Sequence, residues 1–225
     1  MPLLTRRHFV IGSSLLFSTP LVAQDVEEVK RPVSNRALWS SWDRRVTPTG
    51  YDSATTNPWG FHSRFLPQRV EAKDGLAVGS IHVDAIARYL YHVDQAGTAM
   101  RYGVAIARGS LYEPGTYTIR RKARWPTWRP TDAMIEREPH KYEQYADGMD
   151  GGPTNPLGAR ALYLYVGRRD TYLRIHGTPQ PRSIGGRASS GCVRMVMAHI
   201  IDLYDNVAKG SVAVLHPDEI AAGIV

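Results

Sequence analysis

The run of residues between His176 and Cys192, G-T-P-Q-P-R-S-I-G-G-R-A-S-S-G, sets the tightest limit on how this chain can fold. Proline, glycine and serine at this density favour turns and bar a continuous helix or strand, so a strand ending at His176 can double back. The return brings Cys192, the only cysteine of the protein, alongside the histidine. One cysteine also excludes an intramolecular disulfide, so the fold depends on a buried core. With 225 residues, 43% of them hydrophobic, the chain is long enough for one domain with appendages.

A thiol at its ordinary pKa of about 8.5 is mostly protonated at neutral pH and becomes a nucleophile only beside a base or in a positive field. His176 can supply the base. Ser190 and Gly191 put no bulk beside the sulfur. A backbone passing so close to a substrate carbonyl can aim the Gly191 and Cys192 amides at a developing oxyanion. Downstream, Val193, Val196, Met197, Ile200, Ile201, Tyr204 and Val207 recur at spacings of three and four. That period predicts an amphipathic helix running to Lys209-Gly210, with Cys192 in the turn feeding its N-terminus. The helix end and Arg194 would both depress the thiol pKa. A lone cysteine is more often a small buried hydrophobe, and a single histidine at a strand end is more often structural. The S-S-G step before the sulfur and the arginine after it favour catalysis.

These residues resemble the signature of the L,D-transpeptidase (YkuD-type) catalytic domain family: H-G-T at His176–Thr178, a Gly-rich turn, then S-S-G-C-V-R-M at Ser189–Met195. The similarity extends from about Gly79 to Leu215 and takes in N-P-L-G-A-R-A-L-Y-L at Asn155–Leu164 and the W-P-T-W pair, Trp125 and Trp128. Several ordered motifs together are more specific than any one of them. The resemblance implies a mainly β fold, an L,D-transpeptidase-type β-sandwich with a catalytic loop followed by one amphipathic helix and an inserted lid. It further implies a cysteine acyltransferase acting on peptidoglycan stem peptides, with Cys192 as nucleophile and His176 as base. The histidine would be held by the Gly177 carbonyl, with no acidic third member, no metal and no cofactor. Thr178, Ser190, Arg194, Trp125 and Trp128 become substrate-binding or site-orienting positions. Carbapenems acylate enzymes of this family. Two departures stand out: Ser190 replaces a histidine carried by many relatives, and Met197 replaces a common asparagine.

The acceptor stays open. An amine of a neighbouring stem would give 3,3 cross-links, an envelope-protein N-terminus would give a wall-anchored protein, and water would make an L,D-carboxypeptidase. A non-catalytic wall-binding module is the reading from a different class. A papain-like protease carries its cysteine and histidine in the reverse order.

The 28 Lys and Arg against 21 Asp and Glu give +7, which suits an anionic polymer. Without a basic run or a basic helical period, nucleic acid is the weaker partner. Residues 1–23 read as an export signal, with Arg6-Arg7, an apolar run from Phe9 to Phe17 and a cut after Ala23. It fits a twin-arginine and a Sec signal alike, and its apolar run is too short for a permanent membrane span. The expected location is the periplasm or cell envelope. Residues 24–77 form an N-terminal arm or linker, whose Trp39, Trp42, Trp59 and Phe61 suggest an aromatic part packed on the domain. The catalytic domain spans 78–216 with its lid at 122–152, and 217–225 is a tail. Runs rich in β-branched and aromatic residues at 80–85, 88–93, 100–107, 114–121, 161–166, 171–176 and 211–216 predict strands. Asp132–Glu138 predicts a short helix within the lid. His82 and His92 match no usual zinc spacing and read as structural.

Overall fold

The structure is a computed structural model that describes residues 35–224. The expected export signal and the first part of the arm lie outside them. The described chain opens with α1 (Arg36–Val46), followed by β1 (Gln68–Glu71), β2 (Ile81–Asp84), β3 (Tyr89–Gln95), β4 (Thr98–Gly103), β5 (Ile106–Ala107) and β6 (Gly115–Arg124). Two short helices, α2 (Asp132–Arg137) and α3 (Pro139–Tyr142), precede β7 (Arg160–Val166) and β8 (Arg169–Thr178). β9 (Arg187–Ser189), β10 (Val193–Val196), α4 (Met197–Asn206) and β11 (Val212–Leu215) complete it. Nine strands make one sheet in the order β1-β4-β3-β2-β11-β6-β7-β8-β10, and β5 pairs with β9. The fold is mainly β, as expected. No helix among the described residues is long and apolar enough to cross a membrane.

Alternation along the strands gives the sheet two unlike faces. Leu162 and Leu164 of β7 and Leu173 and Ile175 of β8 point into the main core, where Ile200 and Leu203 of α4 meet them. Each such side chain, fully buried, contributes about 1.5–3 kcal/mol. Lys122 of β6 fixes the far end of α4 by donating to the carbonyls of Tyr204 (2.6 Å) and Val207. A cation there complements the partial negative charge of a helix C-terminus. The opposite face of β7 and β8 carries Tyr163, Arg174 and His176.

The expected helix is shorter than its period suggested. Residues Val193–Val196 form β10, parallel to β8, with Val193 opposite Ile175 and Arg194 opposite His176. V-R-M-V also alternates: Val193 and Met195 are fully buried and Arg194 faces outward. With the edge of β8 open to pairing, two β-branched residues are better placed in a strand. Cys192 therefore precedes a strand and does not feed a helix N-terminus.

The arm holds more order than its composition suggested. Trp39, Trp42 and Val46 stand three and four apart on α1 and pack with Trp125 in one cluster. Arg160 of β7, 1% exposed, donates to both carboxylate oxygens of Asp43 at 2.9 and 2.7 Å. Further on, Tyr51, Trp59 and Phe61 gather around His199 of α4. The described part of the arm is thus a packed element and no tether.

Candidate active site

Alternate residues of β8, Tyr172, Arg174, His176 and Thr178, line one wall of a cavity of about 1190 Å³, joined by Ser190, Gly191, Cys192 and Arg194 of the returning chain. The turn-rich segment thus brings the predicted residues to one wall. Trp128 lines the cavity from the segment between β6 and β7. Trp125 does not: it is 3% exposed, stacks edge-on against Trp42 at 5.2 Å and donates its Nε1 hydrogen to Asp43 (3.0 Å).

The Nδ1 of His176 lies 2.6 Å from the carbonyl oxygen of Gly177. A carbonyl can only accept, so Nδ1 carries the proton and Nε2 keeps its lone pair. Burial, then the charge of Arg194, push the imidazole pKa down to about 3 against the pull of the Gly177 carbonyl. It is neutral at physiological pH. Gly177 is also where two backbones nearly touch, because a Cβ on Gly158 (φ +60°) would sit 2.8 Å from its carbonyl carbon. This close approach seats the entrance to β7 against the histidine.

Cys192 is half-buried, and its thiol donates to the Tyr172 carbonyl at 3.7 Å. Burial raises the thiol pKa, opposed by Arg174 and then by Arg194. The expected depression is not met, because burial outweighs both arginines and Cys192 precedes a strand rather than a helix. The resting pair is a protonated thiol and a neutral imidazole. Gly191, at φ +143°, takes a conformation suited to glycine, and its amide donates to Ser189 Oγ at 3.3 Å. One of the two amides expected to face an oxyanion is therefore already engaged.

The segment between β6 and β7 touches this turn at Ser190. The Ser190 hydroxyl lies 2.9 Å from the Tyr142 hydroxyl and accepts from Arg108 at 3.3 Å, while Arg108 also binds Glu138 at 2.5 Å. Trp128 packs against Tyr142 and Tyr145, at 6.3 and 5.6 Å between ring centres. Asn155, wholly buried, braces the segment's end through Asp150 O (3.0 Å) and the Leu157 amide (2.8 Å).

The family model of the YkuD L,D-transpeptidase catalytic domain matches residues 79–215. The chain belongs to that family. Among relatives, the probable L,D-transpeptidase ErfK/SrfK of Escherichia coli K12 is 30% identical over 148 residues, covering 65% of this chain and 46% of its own. The probable L,D-transpeptidase YbiS of the same organism is 31% identical over 148 residues, covering 65% and 47%. The chain thus spans about half the length of the relatives it matches. A crystal structure from Brucella melitensis, described as a probable carnitine operon oxidoreductase, is 48% identical, covers 68% of this chain and 94% of its own, and superposes with a TM-score of 0.48. That redox name is said of that protein; membership of this chain rests on the domain match.

Sequence reasoning missed several residues around this candidate site. Arg174 had a legible signal: two positions before His176 on a strand, it had to share the histidine's face. Tyr142, Glu138 and Arg108 had none, because three separate segments meet there only once the chain is folded. Among the described residues, no three His, Cys, Asp or Glu side chains cluster as metal ligands.

Proposed function

We propose that this L,D-transpeptidase-family domain transfers the acyl group of a peptidoglycan tetrapeptide stem through Cys192. The observation that carries the reading is a half-buried thiol sharing a cavity wall with a buried imidazole whose Nε2 lone pair is free. The thiol swings from the Tyr172 carbonyl towards His176 and attacks the carbonyl between the L- and D-centres. Its proton passes to Nε2. The tetrahedral oxyanion takes hydrogen bonds from the Cys192 amide and from the Gly191 amide once Ser189 Oγ releases it. Collapse breaks the C–N bond, the imidazolium returns its proton to the departing D-residue amine, and a thioester stays on the sulfur. An acceptor amine, deprotonated by the same imidazole, attacks the thioester and restores the thiol.

Arg194, beside His176, is placed to meet the carboxylate of the departing residue, and Arg174 opposes the burial cost of a thiolate. The segment between β6 and β7 acts as a lid whose latch is Ser190. We assign the acceptor to a stem amine or an envelope-protein N-terminus, and the place of action to the cell envelope, reached after export. Incubation with a carbapenem followed by peptide mapping tests the nucleophile: the expected adduct sits on the peptide containing Cys192 and vanishes in Cys192→Ala. Analysis of products from isolated peptidoglycan then separates 3,3 cross-links from protein anchoring.

A further inference from the structure

The cavity wall that carries Cys192 continues away from it as a row across the strands. Arg121 of β6 pairs in register with Tyr163 of β7, and Tyr163 pairs with Arg174 of β8. One step back from the Val193–Ile175 pair, Cys192 falls beside Arg174. Residues directly opposite in a ladder share a face, and all four line the cavity. The Tyr163 ring meets both guanidiniums, Arg174 at 4.1 Å and Arg121 at 4.3 Å from its centre.

The cavity's cations differ in what answers their charge. Arg174 is held by both oxygens of Asp170 at 2.6 and 3.0 Å. Arg129 pairs with Asp132 at 3.0 Å and Lys141 with Glu138 at 3.5 Å. Arg194 donates to Gln180 at 3.3 Å. Arg121 is exposed and, among the described residues, has no carboxylate within ion-pair distance and no hydrogen-bond acceptor. Its guanidinium is nevertheless placed, because a cation is drawn to the negative face of an aromatic ring. An oriented, unanswered guanidinium on a cavity wall is a ready fork for a carboxylate.

Resting on the acyl transfer proposed above, the geometry points to Arg121, on its Tyr163–Arg174 shelf, as a subsite for a free carboxylate carried by the donor peptide away from the scissile bond. Neighbouring strands lie about 4.8 Å apart, so three spacings place the Arg121 backbone roughly 14 Å from that of Cys192. Its side chain leans back over Tyr163. That reach fits a long acidic side chain, and it is too far for the carboxylate adjoining the reacting carbonyl, which falls to Arg194. The subsite distinguishes a carboxylate from its primary amide, which lacks the charge and the second acceptor oxygen.

Two donor peptides differing only in that group, free acid or primary amide, test the assignment. Acylation of Cys192 followed by mass spectrometry should show a KM at least tenfold lower for the acid with kcat alike. In Arg121→Gln the acid-to-amide ratio should collapse towards one, and in Arg121→Lys it should return in part. A wild-type ratio near one, or a ratio that survives in Arg121→Gln, overturns the subsite while leaving acyl transfer standing. Calorimetric binding to Cys192→Ala reads the same ratio without chemistry. If neither peptide acylates the wild type, acyl transfer fails, and the calorimetric ratio alone then decides the subsite. Failure of both peptides to bind overturns both readings.

Discussion

His176 and His199 share a depressed pKa and differ in their surroundings. Both are buried, and burial holds the pKa of each at about 3. His176 has one nitrogen bonded to a carbonyl and the other free on a cavity wall. His199 has neither nitrogen partnered and is ringed by Tyr51, Trp59 and Phe61 of the arm and Tyr102 of β4. Burial sets the protonation state of both, but a base also needs a fixed tautomer and an opening through which a proton can arrive. The Gly177 carbonyl and the cavity supply these at one histidine, and the arm closes off the other.

The sharpest break of this comparison is kinetic. His176→Ala should lower kcat/KM for thioester formation by roughly 10²- to 10⁴-fold, the usual weight of a general base, while His199→Leu stays within about twofold. Time-resolved mass spectrometry of the adduct measures both. The arm side should break in stability instead. Asp43→Ala strands the Arg160 charge, which is 1% exposed, and should lower the unfolding free energy by about 3 kcal/mol in urea titrations.

Acid should act on both histidines through folding. Their folded pKa of about 3 lies below the ordinary 6.5, so the unfolded chain binds protons first as pH falls. The stability their neutral forms confer is full above about pH 6.5 and drains by up to about 1.4 kcal/mol per pH unit for each down to pH 3. Urea midpoints should fall from pH 7 to 4, and His199→Leu should flatten that fall. Acylation should run the other way from a low-pKa thiol enzyme: burial raises the Cys192 pKa, so the rate climbs as pH rises towards it. The smallest expected effect is at the latch. Ser190→Ala removes the hydroxyl shared by Tyr142 and Arg108, worth about 1 kcal/mol, and should speed hydrogen exchange across 132–145.

Much of the sheet was readable from alternation, since I-H-V-D and A-L-Y-L-Y-V carry their period of two in the open. The V-R-M-V stretch was not, because it satisfies both periods and only the vacant edge of β8 decides between them. α1 carried a helical spacing in Trp39, Trp42 and Val46 that is hard to see among arginines and serines. Cys192 and His176, the proposed nucleophile and base, stood out because a motif marks them. Arg121 and Tyr163 were not, because their relation to Cys192 exists only across four strands. The thiol pKa was misjudged because the motif does not reveal how deeply the folded chain buries the sulfur.

The central claim is that the sulfur of Cys192 accepts an acyl group from a stem tetrapeptide. Intact-mass measurement of the protein after incubation with that peptide tests it most directly. The account predicts a mass gain equal to the tetrapeptide less its terminal residue, mapped to Cys192 and lost on adding an acceptor amine. An unmodified Cys192, with the tetrapeptide consumed or not, would contradict it.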